Sequence, residues 1–295
     1  MSEIFGIPTQ ALFGQLLIGL INGSFYALLS LGLAVIFGLL NIINFTHGAQ
    51  YMMGAFCAWV LLNKLGVNYW WALVLAPIVV GATGVVIERL MLSRLYQLDH
   101  LYGLLLTFGL ALIIQGLFRN EFGSTGLPYA IPEALQGGQN LGFMFLPNYR
   151  AWVVGASLAV CLATWFMIER TKLGSYLRAA TENAALTQAF GVNVPRMVTL
   201  TYGFGVGLAA LAGVMAAPIY SVNPLMGEHL IIVVFAVVVI GGMGSIMGSI
   251  ITGFMLGLVE GLTKVFYPEA SNTVIFIIMA IVLMIKPSGL FGARR

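Results

Sequence analysis

The chain has 295 residues, of which 13 are Lys or Arg and 10 are Asp or Glu, so that 8% are charged and 60% are hydrophobic. A soluble globular chain carries roughly a quarter of its residues as charges and about half as apolar groups. This chain has too little charge to solvate a surface of its size, which excludes a soluble enzyme and a disordered chain, and a net charge of +3 is too small for a nucleic-acid binder.

The charges mark boundaries. Residues 4–63, 65–87, 100–118, 151–168, 197–227, 229–259 and 270–285 contain no Asp, Glu, Lys or Arg. A helix needs about 20 apolar residues to cross the hydrocarbon of a bilayer, and these gaps match that length or nearly double it. They lack the period-two alternation of a membrane β-barrel. The pattern predicts an all-α polytopic transmembrane bundle of about 8–10 spans, some broken or re-entrant, forming a single domain over residues 1–295. The start, Met1-Ser2-Glu3-Ile4, has no basic stretch and no small-residue cleavage site follows, so no cleavable signal is expected.

In chain order, residues 11–40 are apolar but punctuated by Gly14, Gly19, Asn22, Gly23, Gly32 and Gly38. The run is long for one pass and short for two, which predicts one tilted or broken helix or a tight pair. Asn41 to Gly48 interrupts it with Asn44, Thr46 and His47. Two readings stay open: a turn in which Asn44 or Thr46 caps the next helix, or irregular backbone lining a pathway at membrane depth. Spans follow at about 49–62, 70–91 and 102–118, with Trp70 and Trp71 as interfacial anchors. Residues 119–150 are rich in Gly, Pro, Asn and Gln and form a long loop. A fifth span covers about 151–168.

Residues 169–196 are a second polar stretch. Within it, 175–190 reads as one amphipathic helix, with Leu177, Ala180, Ala184 and Ala185 on one side and Arg178, Glu182 and Gln188 elsewhere; Gly191 is the C-cap. Its polar face lacks a Lys/Arg stripe, which favours a protein partner over the lipid surface. A sixth span runs from about 198 to 217. The apolar run 230–259 is interrupted by Gly241-Gly242-Met243-Gly244-Ser245, and the last span covers 274–285. Gly253, Gly257 and Gly261 recur every four residues and predict close helix packing.

Lys and Arg set orientation. Arg170, Lys172, Arg178 and Arg196 place 169–196 in the cytoplasm, as Lys286, Arg294 and Arg295 do the tail. The connection with Arg89 and Arg94 is then cytoplasmic and the 119–150 loop external.

No Lys follows a Gly, so there is no phosphate loop of the G-x-x-x-x-G-K-[ST] type, and no nucleophile elbow or Cys-x-x-Cys pair is present. The three His are scattered, which argues against a metal site, and no cofactor motif is found. Cys57 and Cys161 read as small core residues, not a disulfide. Glu260 and Lys264 stand at i, i+4 as a helix-end ion pair, and Glu88-Arg89 reads as an interfacial pair. With no ionisable relay in the span centres, a non-enzymatic transport role for a neutral or zwitterionic solute leads.

Four stretches carry a family resemblance: Asn22-Gly23-Ser24-Phe25-Tyr26-Ala27-Leu28, Asn41-Ile42-Ile43-Asn44-Phe45-Thr46-His47-Gly48, Val239-Ile240-Gly241-Gly242-Met243-Gly244-Ser245 and Lys286-Pro287-Ser288-Gly289-Leu290-Phe291-Gly292. In order and spacing the chain resembles the H-type membrane permease subunits of bacterial ABC importers of the branched-chain amino acid kind. Thr46 and Lys286 stand where that family usually has Ala and Arg.

The resemblance implies alternating access across the bacterial inner membrane, with a second homologous permease subunit, two separate ATPase subunits, a periplasmic solute-binding protein and membrane lipid as partners. It implies that 178–192 is the coupling element, with Arg178, Ala179, Glu182, Ala185, Gln188 and Gly191 as candidate contacts to the ATPase. Of the permease docking signature only Gly191 matches. Asn41, Asn44, Thr46, His47, Gly241, Gly242 and Gly244 are the pathway or gate candidates. A stand-alone channel or secondary carrier for urea or an amide is the alternative, and within the importer class urea, amides or aromatic acids are alternative solutes.

Overall fold

A computed structural model of the chain describes residues 3–4, 7–40, 44–96 and 98–292. The first apolar run forms one unbroken helix, α1 (Thr9–Leu40), of 32 residues, about 48 Å long. It is followed by α2 (Thr46–Leu65), α3 (Tyr69–Leu90), a 3-10 turn at Leu92–Arg94, and α4 (His100–Phe122). Then come α5 (Asn148–Arg170), α6 (Lys172–Glu182), α7 (Ala184–Ala189), α8 (Val194–Ala216), α9 (Glu228–Gly241), α10 (Ile246–Phe266) and α11 (Val274–Ile285). The little sheet lies outside the bundle. β1 (Glu3–Ile4) pairs with β2 (Ile7–Pro8), and β3 (Gly138–Asn140) pairs antiparallel with β4 (Phe145–Pro147) in the register Gly138↔Pro147. The hairpin gives structure to part of what the sequence presents as a plain loop, and α4 and α5 extend into it from either side.

Helix ends follow local chemistry. The Asn68, Asp99 and Ser245 side chains accept from the backbone N–H groups of Trp71, Leu101 and Gly248, starting α3, α4 and α10. Gly66, at φ +66°, ends α2, its N–H donating to the Leu62 carbonyl. Ser24 and Ser30 donate to the Ile21 and Ala27 carbonyls one turn back, which lets α1 carry hydroxyls without orphan donors.

Among the described residues six helices are long and apolar enough to span a membrane: those containing α1, α3, α4, α5, α8 and α10. α9 and α11 are apolar but short, at 14 and 12 residues. The interrupted 230–259 run is divided at the glycine cluster, as its sequence predicts.

α1 is the centre of the bundle, packed against α10 on one side and α8 on the other. The α1–α10 seam is built from glycine. A Cβ at Gly257 would stand 2.4 Å from the Gly19 carbonyl oxygen and 2.4 Å from the Gly23 Cα, and one at Gly261 would stand 2.4 Å from the Gln15 carbonyl. With no Cβ in the way, the backbones approach to dispersion contact, which replaces the hydrophobic drive that lipid removes. α2 meets α8 in the same manner, Gly54 against Ala210 and Gly213 against Tyr51. α4 is the outermost helix, with Gly103 and Thr107 its buried positions.

The bundle has two distinct ends. One carries the 3-10 turn after α3, α6, α7, the start of α8, the α9–α10 break and the C-terminal segment. Glu88, Ser93 and Arg196 share one cavity there, while Gly38, Arg178 and Gly244 share another. The opposite end carries the starts of α1, α3 and α5 and the 123–147 segment. There Phe13 meets Phe143, the Leu127 and Val222 backbones exchange hydrogen bonds, and Tyr69 meets Tyr149 at 2.7 Å between hydroxyls. Trp70 packs edge-on against Trp152 at this end, with Trp71 exposed, as interfacial anchors require.

Candidate functional site

Of the residues singled out from sequence, Asn41 lies outside the described residues, as do Ile42, Ile43 and the two terminal arginines. Asn44, Thr46 and His47 open α2 deep in the bundle and are fully buried, together with Gln50. His47 Nε2 contacts the Leu29 carbonyl at 3.0 Å. Leu29 lies about 16 Å of helix before the end of α1, so α2 begins well inside the protein. Polar groups at that depth must be satisfied internally.

Asn44, Thr46 and Gln50 are satisfied by one another, whereas the buried His47 Nδ1 has no hydrogen-bond partner among the described residues. Asn44 Nδ2 donates to Gln50 Oε1 at 3.1 Å, Thr46 donates to Asn44 Oδ1, and Gln50 Nε2 donates to Thr46 Oγ1 at 3.4 Å. From α4, Thr107 Oγ1 accepts from the Phe45 N–H at 3.2 Å. No side chain caps the start of α2; the Asn44 main-chain carbonyl takes the His47 N–H instead. The capping expected of Asn44 or Thr46 thus gives way to a side-chain network, because both are already committed to each other.

A second helix start meets the first here. Gly227, just before α9, packs so tightly on Gly48 that a Cβ would stand 2.0 Å from the Gly48 carbonyl oxygen. Between His47, Tyr51 and the α9 residues Ile231 and Val234 only a void too small for water is left. Within this chain, then, Asn44, Thr46 and His47 are packed shut.

The glycine break and the closing segment, 45 residues apart in sequence (241 to 286), form one unit. Gly242 and Gly244 adopt φ +104° and +83°, the left-handed side that a Cβ disfavours. The Leu290 and Phe291 N–H groups donate to the Ile240 and Gly241 carbonyls at 2.7 and 3.1 Å, capping α9 from outside. A Cβ at Gly289 would strike Gly242 at 2.5 Å, so the Pro-Ser-Gly turn is seated directly on the break.

The amphipathic stretch departs from its expected form. It is two helices, not one: Asn183 leaves the helical region, and its side chain accepts from the Leu186 N–H at 2.9 Å to start α7. Leu177 and Ala180 stay on the buried side, whereas Ala184 and Ala185 are exposed, because the break rotates α7 off the line of α6. Gly191 follows α7 at φ +87°. Arg178 donates to Glu169 Oε2 at 3.3 Å and to the Ile168 carbonyl at 3.4 Å, tying α6 to the end of α5. Ala179, Glu182 and Gln188 are exposed. Two further residues stand out that the spacing did not single out as contacts: Leu186 is 55% exposed and Phe190 81%.

Arg178 and Gly244 line one cleft of about 130 Å³, bringing the coupling and gate candidates together at this end.

Other charged groups also settle differently from expectation. Glu88 is 2% exposed and accepts from Tyr96, not from Arg89, since neighbours in a helix point about 100° apart. Burial and this hydrogen bond hold the Tyr96 phenol well above its ordinary pKa, so it stays a donor. Tyr202 of α8, fully buried beside Thr46, Gln50 and Asn44, extends the polar interior toward Glu88. Glu260 pairs with Lys264 as its spacing predicts, and Tyr26 adds a hydrogen bond of 2.7 Å across to α1. Cys57 and Cys161 are free. Among the described residues no three His, Cys, Asp or Glu stand together as metal ligands.

Six apolar spans around a glycine-packed centre, broken helices at depth and a polar element at one end define a multi-pass helical membrane protein with the build of a transport permease. Residues 15–283 match the family described as branched-chain amino acid transport system / permease component, and the chain belongs to that family. It is 30% identical to the high-affinity branched-chain amino acid transport system permease protein LivH of Escherichia coli K12, over 99% of this chain and 98% of that protein. It is also 30% identical to BraD of Pseudomonas aeruginosa, of the same description, over 94% of this chain and 95% of that protein. A shorter match, 33% over 115 residues and 35% of each chain, links it to the ribose import permease protein RbsC of E. coli K12.

Proposed function

We propose that this chain is the membrane permease of an ATP-driven importer that moves branched-chain or related amino acids across the bacterial inner membrane by alternating access. It works with a second homologous permease subunit, two ATPase chains and a periplasmic solute-binding protein. The end bearing α6, α7 and the C-terminal segment faces the cytoplasm, where Arg89, Arg94, Arg170, Lys172, Arg178, Arg196 and Lys286 gather.

The observation that carries the reading is α7. Six residues long, outside the spans, it presents Leu186 and Phe190 to solvent beside the left-handed Gly191. Apolar groups in that setting are what a partner's groove takes up. Ala179, Glu182, Ala185 and Gln188 are exposed on the same α6–α7 element, and Arg178 ties α6 to the end of α5. A docked α7 couples nucleotide state to the spans only through contacts that differ between states, and the cleft shared by Arg178 and Gly244 gives it a short route to the α9–α10 break. The closed packing around Asn44, Thr46 and His47 favours a pathway formed between permease subunits, with these residues and Gly241, Gly242 and Gly244 holding its wall.

The solute follows from LivH and BraD, which bear that substrate in their names. In this reading the binding protein carries most of the selectivity. Co-purification is the test. Two ATPase chains and a second permease should follow the tagged protein from membranes, and loaded binding protein should stimulate ATP hydrolysis. Gly191→Pro, which cannot adopt φ +87°, should abolish that stimulation. A homo-oligomer without ATPase chains would instead identify a stand-alone channel or carrier.

A further inference from the structure

We infer that the cavity between the end of α3 and the start of α8 binds a free α-amino acid with an apolar side chain, reached from the α6–α7 end. The inference rests on the amino-acid transport reading only for which solute to try first. The cavity measures about 890 Å³ and is walled by Glu88 and Arg89 on one side and by Asn193, Arg196 and Thr199 on the other. That is the size range of small-molecule sites.

Its polar groups are incomplete in a specific way. Glu88 is 2% exposed; Tyr96 satisfies Oε1, and Oε2 has no partner among the described residues. A buried carboxylate left so is heavily disfavoured and calls for a cation. Arg89 and Arg196, in the same cavity and exposed, form no ion pair among the described residues. A lone anion would meet the arginines but be repelled by Glu88, and a lone amine the reverse. One molecule with a primary ammonium and an anionic group satisfies both: the ammonium on Glu88 Oε2, the anion in the guanidinium fork of Arg196 or Arg89. Val85, Val194 and Val198 supply an aliphatic wall for the rest.

The same chemistry is present in a phosphatidylethanolamine headgroup, so lipid composition separates the sources. Purified full-length protein in phosphatidylcholine nanodiscs, without ATP, ATPase chains or binding protein, is titrated with radiolabelled leucine. Saturable binding is expected, weakened at least tenfold in both Glu88→Gln and Arg196→Gln and unchanged in Arg119→Gln at the opposite end. Arg196 is exposed, so its variant keeps the test meaningful should Glu88→Gln fail to fold. Hydrogen exchange at residues 180–196 should slow on adding leucine. Absence of saturable binding, equal binding by the Arg196 variant, or binding without that protection overturns the inference, as does loss of leucine binding in phosphatidylethanolamine nanodiscs, which would assign the cavity to the headgroup. Because no transport step enters the assay, failure of the importer reading would leave its result legible.

Discussion

The polar start of α2, which has no Asp, Glu, Lys or Arg, and the charged α6–α7 element are opposite in construction. Asn44, Thr46, His47 and Gln50 sit at zero exposure, tied to one another and to neighbouring helices. Leu186 and Phe190, by contrast, are apolar groups held out in water on a short capped helix. In a chain with so few polar residues, Asn44, Thr46 and Gln50 are consumed by bonds to one another, since lipid offers no alternative partner, while His47 Nδ1 and the Ser157, Tyr202 and Thr252 hydroxyls lack a partner among the described residues. What the chain leaves exposed at its end, the apolar Leu186 and Phe190, a second protein can cover. The difference predicts that interior changes show in stability and end changes in coupling.

The largest effect is expected where no atom can yield. Gly257→Val places a Cβ 2.4 Å from backbone atoms of α1, a clash that neither helix relieves without separating. A loss of about 3 kcal/mol or more should follow, read as the disappearance of monodisperse protein from detergent extracts. Unchanged recovery would break the claim that the α1–α10 seam organises the bundle. Gln50→Leu comes next. It leaves Asn44 Nδ2 without its acceptor, which costs about 1–3 kcal/mol and should lower the unfolding temperature in nanodiscs.

Phe190→Asp belongs to the other arm of the comparison. Stability should move by no more than about 0.5 kcal/mol, as for other exposed sites. Association with the ATPase chains should weaken by roughly 2 kcal/mol, about thirtyfold, if Phe190 is the anchor of the docking surface. Equal losses of stability and association would erase the distinction between the two regions.

Charge gaps made the apolar helices legible because charges are costly at membrane depth: the last helix has the bounds read for it, 274–285, though at 12 residues it is not among the six long enough to span, and the glycine cluster at 241–245 divides its run as expected. What sequence left hidden depends on distance. The Asn183 break rests on a single side-chain cap, with alanines on both sides that suit one continuous helix. Glu88 looked paired to Arg89 by adjacency, while its partner Tyr96 lies beyond a 3-10 turn that periodicity cannot foresee. The clip of 289–291 onto α9 joins two motifs that the resemblance named separately. In the candidate site, residue types were readable and burial was not, since Asn44 to Gln50 suits a capped turn or a wet pathway equally until α4 and α8 are packed on it.

The smallest effect tests whether Arg178 acts by docking or by bracing. As a docking charge its reversal would cost contacts to a partner that Glu169 could not restore. In the folded chain, however, its guanidinium is committed to Glu169 and to the Ile168 carbonyl, and both charged groups are about half exposed. Such a pair contributes about 0–1 kcal/mol, enough to set the angle of α6 but not to hold the fold. Arg178→Glu should therefore leave thermal stability within that margin and lower stimulated ATP hydrolysis a few-fold. The double reversal with Glu169→Arg should recover most of the loss, though not the carbonyl contact, which a glutamate cannot donate to. Failure of the second substitution to rescue would move Arg178 from the brace to the docking surface, and the boundary of that surface would shift one helix inward.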